Sequence, residues 1–245
     1  MTADVKQSFP TQLLRGRIAN LRKTRQRQEF LFTDSDRNAM GATAVVAGLA
    51  GLGGVALGLS ASAMDTSEEA DLLEFDLGEK KVRAWVWVSV FKEGDEVEVV
   101  AEQSGDIWIA FGIRRLGDQV LALHPHCSRG RYAHYKATAR WWIGLTGSLL
   151  LVMNILGIVM AYFKDLHNWA GIFDMFLWGG VGVFAITGVI AFRIAWKMMG
   201  FVRLAEGIFS GFGWKNVKSI DLPAITKKSK KPGEPGVLGV LYFRY

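Results

Sequence analysis

Three stretches of this 245-residue chain contain no Asp, Glu, Lys or Arg: residues 38–64, 141–163 and 175–192, which are 27, 23 and 18 residues long. A bilayer core about 30 Å thick takes about 20 apolar residues as a helix, so each stretch is a candidate for burial in lipid. Half of the chain is apolar and only 21% is charged, a balance that excludes a disordered polar chain. The single cysteine, Cys127, excludes an internal disulfide framework and leaves the compartment open on redox grounds.

The second stretch has the clearest form of a span. Arg140 and Lys164 bracket it, and Trp141, Trp142, Tyr162 and Phe163 stand at its ends, where aromatic belts form. The third can begin at Trp169 or Ala170, taking Asp174 into its first turn, and runs into Arg193, Trp196 and Lys197, which can snorkel. Together they predict a helical hairpin over 141–192 that turns at 164–168. Asn154 is the strongly polar side chain of its first limb and, like Asp174 and Arg193, a candidate for lining a polar path.

The first stretch is different in kind, with Gly41, Gly48, Gly51, Gly53, Gly54 and Gly58 set among Ala, Val and Leu. Glycine weakens a helix in water by about 1 kcal/mol relative to alanine, but lipid offers the backbone no other partner, so a helix remains feasible. Gly54 and Gly58 form a GxxxG within a small-residue row that includes Ala50 and Ser62. Gly48, Gly51, Gly54 and Gly58 are therefore helix-packing or pore candidates, either against the hairpin or against further copies. Because 37 residues precede this block, longer than the leader of a secretory signal, it is expected to be retained.

Charge exposes a conflict. Residues 1–37 and 193–245 net +4 and +7, whereas 65–140 nets −4 and 164–174 nets −1. Three spans would put the two basic tails on opposite sides, against the tendency of cations to stay in the cytoplasm. Either the Gly-rich block does not span and only the hairpin does, or the chain enters a membrane from outside. The surface cations would be Arg129, Arg131, Lys136 and Arg140 before the hairpin, and Lys227, Lys228, Lys230 and Lys231 in a basic linker with turn chemistry.

Between the first two stretches the hydrophobic period changes to two. Residues 72–77, 82–90, 97–101, 107–113 and 119–123 read as about five short strands parted by Gly78, Gly94, Gly105 and Gly117. Five such strands suit a small barrel of the OB type or a compact sandwich. The expected class is an α+β integral membrane protein with two to three transmembrane helices and a small β-rich domain, 70–126, inserted after the first apolar segment. Upstream, residues 9–29 carry Leu13, Leu14, Ile18 and Leu21 among arginines, the pattern of a basic amphipathic helix. Downstream, Phe201, Leu204, Ala205, Ile208 and Phe212 describe one helical face, and residues 237–245 read as a strand that should dock on the β-domain.

No catalytic constellation stands out. His124, His126, Cys127 and His134 are spaced H-x-H-C-x6-H, which matches no closed zinc site. Cys127 lacks a strand-to-helix elbow and oxyanion donors. Asp95 with Glu96, and Glu68 with Glu69, sit in turns as solvated pairs. No cofactor or metal is expected, and the −4 balance of the β-region argues against nucleic acid.

The order of these parts resembles membrane-associated type VI secretion system effectors of Gram-negative bacteria. Three phrases carry the likeness: Lys92-Glu93-Gly94-Asp95-Glu96-Val97-Glu98-Val99-Val100-Ala101-Glu102, Leu123-His124-Pro125-His126-Cys127-Ser128-Arg129-Gly130-Arg131, and Lys231-Pro232-Gly233-Glu234-Pro235-Gly236 before the terminal Leu241-Tyr242-Phe243-Arg244-Tyr245. The resemblance implies delivery into a neighbouring cell and damage to its inner membrane through an ion-permeable pore. It brings no catalytic residue. The expected partners are the lipid bilayer, further copies of the chain, an immunity protein, and a secretion chaperone or spike. The competing expectation is a resident inner-membrane protein whose β-domain binds a protein partner; a transporter or an intramembrane enzyme ranks behind both.

Overall fold

A computed structural model describes residues 11–28, 30, 68–163 and 169–245, so the Gly-rich block with Gly48, Gly51, Gly54 and Gly58 lies outside the described residues. The chain forms two compact units. One is Met1–Ser128 with Gly207–Trp214 and Leu222–Tyr245; the other is Arg129–Glu206 with Lys215–Asp221.

The first unit is built on β1 (Gln12–Gln28), β2 (Glu68–Leu77), β3 (Lys80–Val86), β4 (Glu96–Ser104), β5 (Ile107–Arg115), β6 (Val120–Leu123) and β7 (Phe243–Arg244). β1 pairs with β2 and β4, β2 with β3, and β4 with β5, all antiparallel. A parallel pairing of β3 with β5, from Lys81↔Ile107 to Ala84↔Ala110, closes these five strands into a barrel. Of the two architectures expected for the β-region, the barrel is the one formed, but its fifth strand is β1 and not the expected strand 119–123, which pairs outside the closed ring as β6. β6 and β7 extend the sheet from β5, and the docking expected of the C-terminal strand is seen in Val120↔Arg244 and Leu121↔Phe243. Only Phe243–Arg244 is strand, because turns occupy most of 231–242.

Alternation places Leu73, Phe75 and Leu77 of β2, Val82, Ala84 and Val86 of β3, and Val97 and Val99 of β4 in one buried core with Leu14, Ile18, Trp108 and Ile113. The helix expected over 9–29 is overturned: Gln12–Gln28 is β1. Leu14, Gly16 and Ile18 keep the period of two, and a register shift between Ala19 and Arg22 then turns Leu21 toward the core. Asn20 stands at that bulge with φ 54, and the Glu93 carboxylate accepts the N–H groups of both Asn20 and Leu21 at 2.8 Å. A bulge that adds one residue converts strand spacing into helix-like spacing, which is what the sequence pattern displays. The cations of β1 then lie opposite carboxylates across the ladders: Arg22↔Glu74, Arg25↔Asp71 and Arg27↔Glu69 on β2, Arg15↔Glu98 and Arg17↔Glu96 on β4.

This pairing also inverts the expected insertion. The apolar block does not precede the barrel; it joins β1 to β2 within it. The strand expected to run to Val90 stops at Val86, because the Asp71 carboxylate accepts the Ser89 N–H at 2.7 Å and holds the chain off the ladder.

Among the described residues the helices are α1 (Arg131–Phe163), α2 (Trp169–Lys197), α3 (Met199–Gly211) and α4 (Leu222–Ser229), with a 3-10 turn at Val217–Ser219. The helical face expected on α3 is rotated by about one position: Val202, Ala205, Ile208, Phe209 and Phe212 are buried, while Phe201 and Leu204 are half-buried. Within the first unit, residues 207–214 lie on β4 and β5. A side chain at Gly112 would meet Ile208 and Phe212, and one at Gly211 would meet Val100. The basic linker expected at 227–235 is helical to Ser229 before it turns. Thr226, buried on α4, donates its hydroxyl to Arg244 O and accepts from Arg244 N, both at 3.0 Å, which ties the helix to β7.

Candidate functional site

α1 and α2 are the elements whose surface departs most from ordinary packing. Both are long and apolar enough to cross a membrane, with mean hydropathy 2.1 and 2.0, and only 6% and 0% of their apolar windows is buried. An all-round apolar helix needs lipid or other helices around it. The helices extend beyond the expected hairpin at both ends, since α1 starts ten residues before Trp141 and α2 runs to Lys197. They pack antiparallel. Trp142 Nε1 donates to Thr187 Oγ1 at 3.1 Å and Thr146 Oγ1 to the same oxygen at 3.3 Å. Farther along, the Phe176 ring covers Gly157, and Trp142 covers Gly188. Small residues at these crossings let the helices approach closely. His134, one of the soft-ligand candidates, lies near the start of α1 with Nε2 3.2 Å from Ala195 O.

Asn154 lines a groove of about 480 Å3 with Leu150, Phe173, Phe176, Leu177, Gly180, Val181, Phe184 and Ala185. Its Nδ2 donates to Leu150 O at 2.7 Å, so the amide is held on its own helix and the groove is otherwise apolar. Asp174 and Arg193 are exposed along α2.

The expected surface cations divide into two groups. Arg129 Nε lies 3.1 Å from Asp221 Oδ1, and Arg131 pairs with Glu206, whose Oε1 also accepts the Arg131 N–H at 2.8 Å. Glu206 thus sits on the first turn of α1, where a carboxylate complements the helix dipole. Lys230 Nζ donates to Gly236 O and Leu238 O. Lys136, Arg140, Lys227, Lys228 and Lys231 are exposed.

The remaining soft-ligand candidates belong to the barrel unit and have other partners. His126 Nε2 lies 2.7 Å from Glu68 Oε2. His124 is packed against Phe30 and Phe111, with ring centroids 5.4 and 6.4 Å away, and burial lowers its pKa from 6.5. Cys127 is 1% exposed and burial pushes its thiol up, away from the thiolate form that attacks or ligates. Among the described residues no group of three or more His, Cys, Asp or Glu is arranged to hold a metal ion.

What the sequence reading missed is an aromatic patch on the outer face of the barrel. Trp85 on β3 and Trp87 just beyond it, two residues apart, meet Phe30 edge-on at 5.9 and 6.3 Å, and Trp87 meets His126 at 5.0 Å. The available signal was the alternation itself, which puts Arg83, Trp85 and Trp87 on the face opposite Val82, Ala84 and Val86. All the rings of this patch are half-buried, so it offers a polarised aromatic surface beside the start of the β1–β2 connection. Of the acidic pairs expected as solvated turn residues, Glu68 and Glu69 lie on β2 and Glu96 opens β4, and the pairs are engaged: Asp95 Oδ2 with Arg115 at 2.6 Å, Glu96 with Arg15 at 3.4 Å, and Glu69 with Arg25 at 3.5 Å. Adding β1 turns the sum over the barrel strands from −3 to +3, its cations lying beside carboxylates of β2 and β4. Comparison with protein-family models, curated proteins and solved structures finds no match to this chain.

Proposed function

We propose that the chain works in a bacterial inner membrane, with α1 and α2 crossing the bilayer as a hairpin and the barrel held on the cytoplasmic side as an OB-type module that binds a protein partner. The observation that carries this reading is the charge at the hairpin's two barrel-connected ends. Arg129, Arg131, Lys136 and Arg140 stand at the start of α1, Arg193 and Lys197 at the end of α2, and the intervening turn region 164–174 nets −1. The binding role is supported by the aromatic patch of Phe30, Trp85 and Trp87, since half-buried Trp is enriched where partners dock. The interleaved charges of β1, β2 and β4 favour a protein over a nucleic acid. The test is accessibility: in inside-out vesicles a protease should reach the barrel and C-terminal tail, and in spheroplasts only the turn. Protection of the barrel in inside-out vesicles sinks the reading.

The second reading is a type VI secretion effector that depolarises the inner membrane of a recipient cell, alone or as an oligomer, and is held in check by an immunity protein. The resemblance of the three phrases favours it, as does the nearly complete exposure of two apolar helices that await lipid or further copies. Dye-reported membrane potential during brief induced expression separates the two. Rapid depolarisation supports the effector; an unchanged potential in cells that contain inserted protein supports the resident binding module.

A further inference from the structure

β1 and β2 are neighbouring antiparallel strands whose register runs out to Gln28↔Glu68, so the connection 29–67 leaves the sheet and returns to it at the same edge of one ladder. The ends of that connection also meet one short segment. Phe30 packs edge-on against His124 at 5.4 Å, and Glu68 Oε2 lies 2.7 Å from His126 Nε2. On the other side of the chain, β6 and β7 pair through Val120↔Arg244 and Leu121↔Phe243, and all of α1 and α2 lies between them in sequence.

We infer that the sheet imposes a single-sided membrane topology: β1, the barrel and the C-terminal strand all lie on one face of the bilayer, which excludes a three-span chain with β1 and β2 on opposite sides. A chain that leaves a folded sheet and rejoins the adjacent strand crosses the membrane an even number of times. The same parity applied to β6 and β7 requires an even number of crossings from 124 to 242, which the hairpin supplies with two. A single crossing by 38–64 would require pulling β1 from β2 and separating Arg25 and Lys23 from buried Asp71, bonded at 3.1 and 2.9 Å. The conflict between two basic tails and three uncharged stretches is thereby removed, since β1 and the C-terminal strand belong to one sheet and stay on one side. The inference rests on the reading of α1 and α2 as a membrane hairpin.

The test uses the full chain in a bacterial inner membrane. Buried Cys127 serves as a silent background, checked by a wild-type blank. Single variants Ser35→Cys and Ser67→Cys flank the block, Lys231→Cys marks the tail and Asp165→Cys marks the hairpin turn. Each is exposed to an impermeant maleimide in inside-out vesicles and in spheroplasts. Ser35→Cys, Ser67→Cys and Lys231→Cys should label in inside-out vesicles and lose their labelling in spheroplasts, with Asp165→Cys showing the reverse. Labelling of Ser35→Cys and Ser67→Cys from opposite faces overturns the inference. Labelling of Asp165→Cys from the same face as Lys231→Cys sinks the membrane hairpin instead, while the Ser35 and Ser67 pair still reports on the block. An Arg27→Cys, Glu69→Cys pair should form a disulfide on oxidation of the membranes; failure to cross-link removes the ladder on which the inference stands.

Discussion

Asp71 Oδ1 lies 3.1 Å from Nη1 of Arg25, its register partner on the adjacent strand, with the carboxylate fully buried and the guanidinium half exposed. Lys23 Nζ and the Ser89 N–H complete the shell at 2.9 and 2.7 Å. Burial alone would raise the Asp71 pKa, but the Ser89 N–H and the two cations outweigh it and hold the group below its ordinary 3.8. Asp71→Asn keeps the shape and loses the charge, and should destabilise the barrel by about 3 kcal/mol at neutral pH, as breaking one side of a buried ion pair does. A depressed carboxylate pKa gives stability that is present above the unfolded value and lost as pH falls through the folded one. The gap between wild type and Asp71→Asn should therefore narrow only below pH 3.8, measured by urea unfolding in detergent. An equal gap at every pH rejects the charge as its source.

His124 titrates in a different window. Packed between Phe30 and Phe111, it is held neutral by burial, with the nearby His126 adding to the depression of its pKa. Above the ordinary value of 6.5 both folded and unfolded states carry a neutral ring. Below it the unfolded chain binds a proton that the folded one resists, so stability falls as the solution is acidified, at up to about 1.4 kcal/mol per pH unit until the folded state also titrates. Glu68 and His126 face the same segment, so the slope belongs to His124 only if it flattens in His124→Gln. Stability curves for the two proteins that stay parallel between pH 7.5 and 5.5 refute the assignment.

The hairpin and the strands from Leu72 to Leu123 were legible because each follows one period for long enough to decide it. Trp141 to Phe163 carries no charge, and Val82, Ala84 and Val86 alternate without interruption. β1 was not legible, because the bulge at Asn20 shifts Leu21 by one residue, and because the carboxylates opposite Arg22, Arg25 and Arg27 in the ladder lie more than 40 positions away on β2. Without its partners β1 has the look of a cationic helix. The aromatic patch was hidden for the same reason: Phe30 and Trp85 are far apart in sequence and meet only after closure of the barrel. Arg129 and Arg131 looked like headgroup ligands because Asp221 and Glu206 come from remote segments.

Two glycines of α3 should respond to alanine with opposite signs. Replacing glycine in a helix gains about 1 kcal/mol from propensity, and at Gly207 a Cβ meets open space. At Gly211 the Cβ would lie 2.7 Å from Val100 Cγ1, on a side chain that is itself fully buried in β4. Overpacking of that kind costs about 1–3 kcal/mol, which exceeds the propensity gain. Gly207→Ala should therefore raise the unfolding midpoint and Gly211→Ala lower it, with hydrogen exchange in β4 and β5 accelerated only in the latter. Midpoints that both rise would show that residues 207–214 are not seated on the sheet.

Thr187 is the polar hinge point of the hairpin interface. Its Oγ1 receives hydrogen bonds from Trp142 Nε1 at 3.1 Å and Thr146 Oγ1 at 3.3 Å while its own hydroxyl donates to Val183 O at 2.8 Å. Thr187→Val preserves the branched shape and strands the indole N–H in an apolar setting, so the loss is electrostatic rather than steric. Interhelical hydrogen bonds in membranes contribute about 1 kcal/mol, and that is the coupling expected from a Trp142→Phe, Thr187→Val cycle followed by denaturant titration in mixed micelles. Thr146→Val, which removes only the longer bond, should cost less than Thr187→Val. Gly188→Val makes the complementary point through packing, since its Cβ would come 2.8 Å from the Trp142 ring and force the helices apart. A coupling near zero together with an undisturbed Gly188→Val hairpin would mean that α1 and α2 do not meet along this seam.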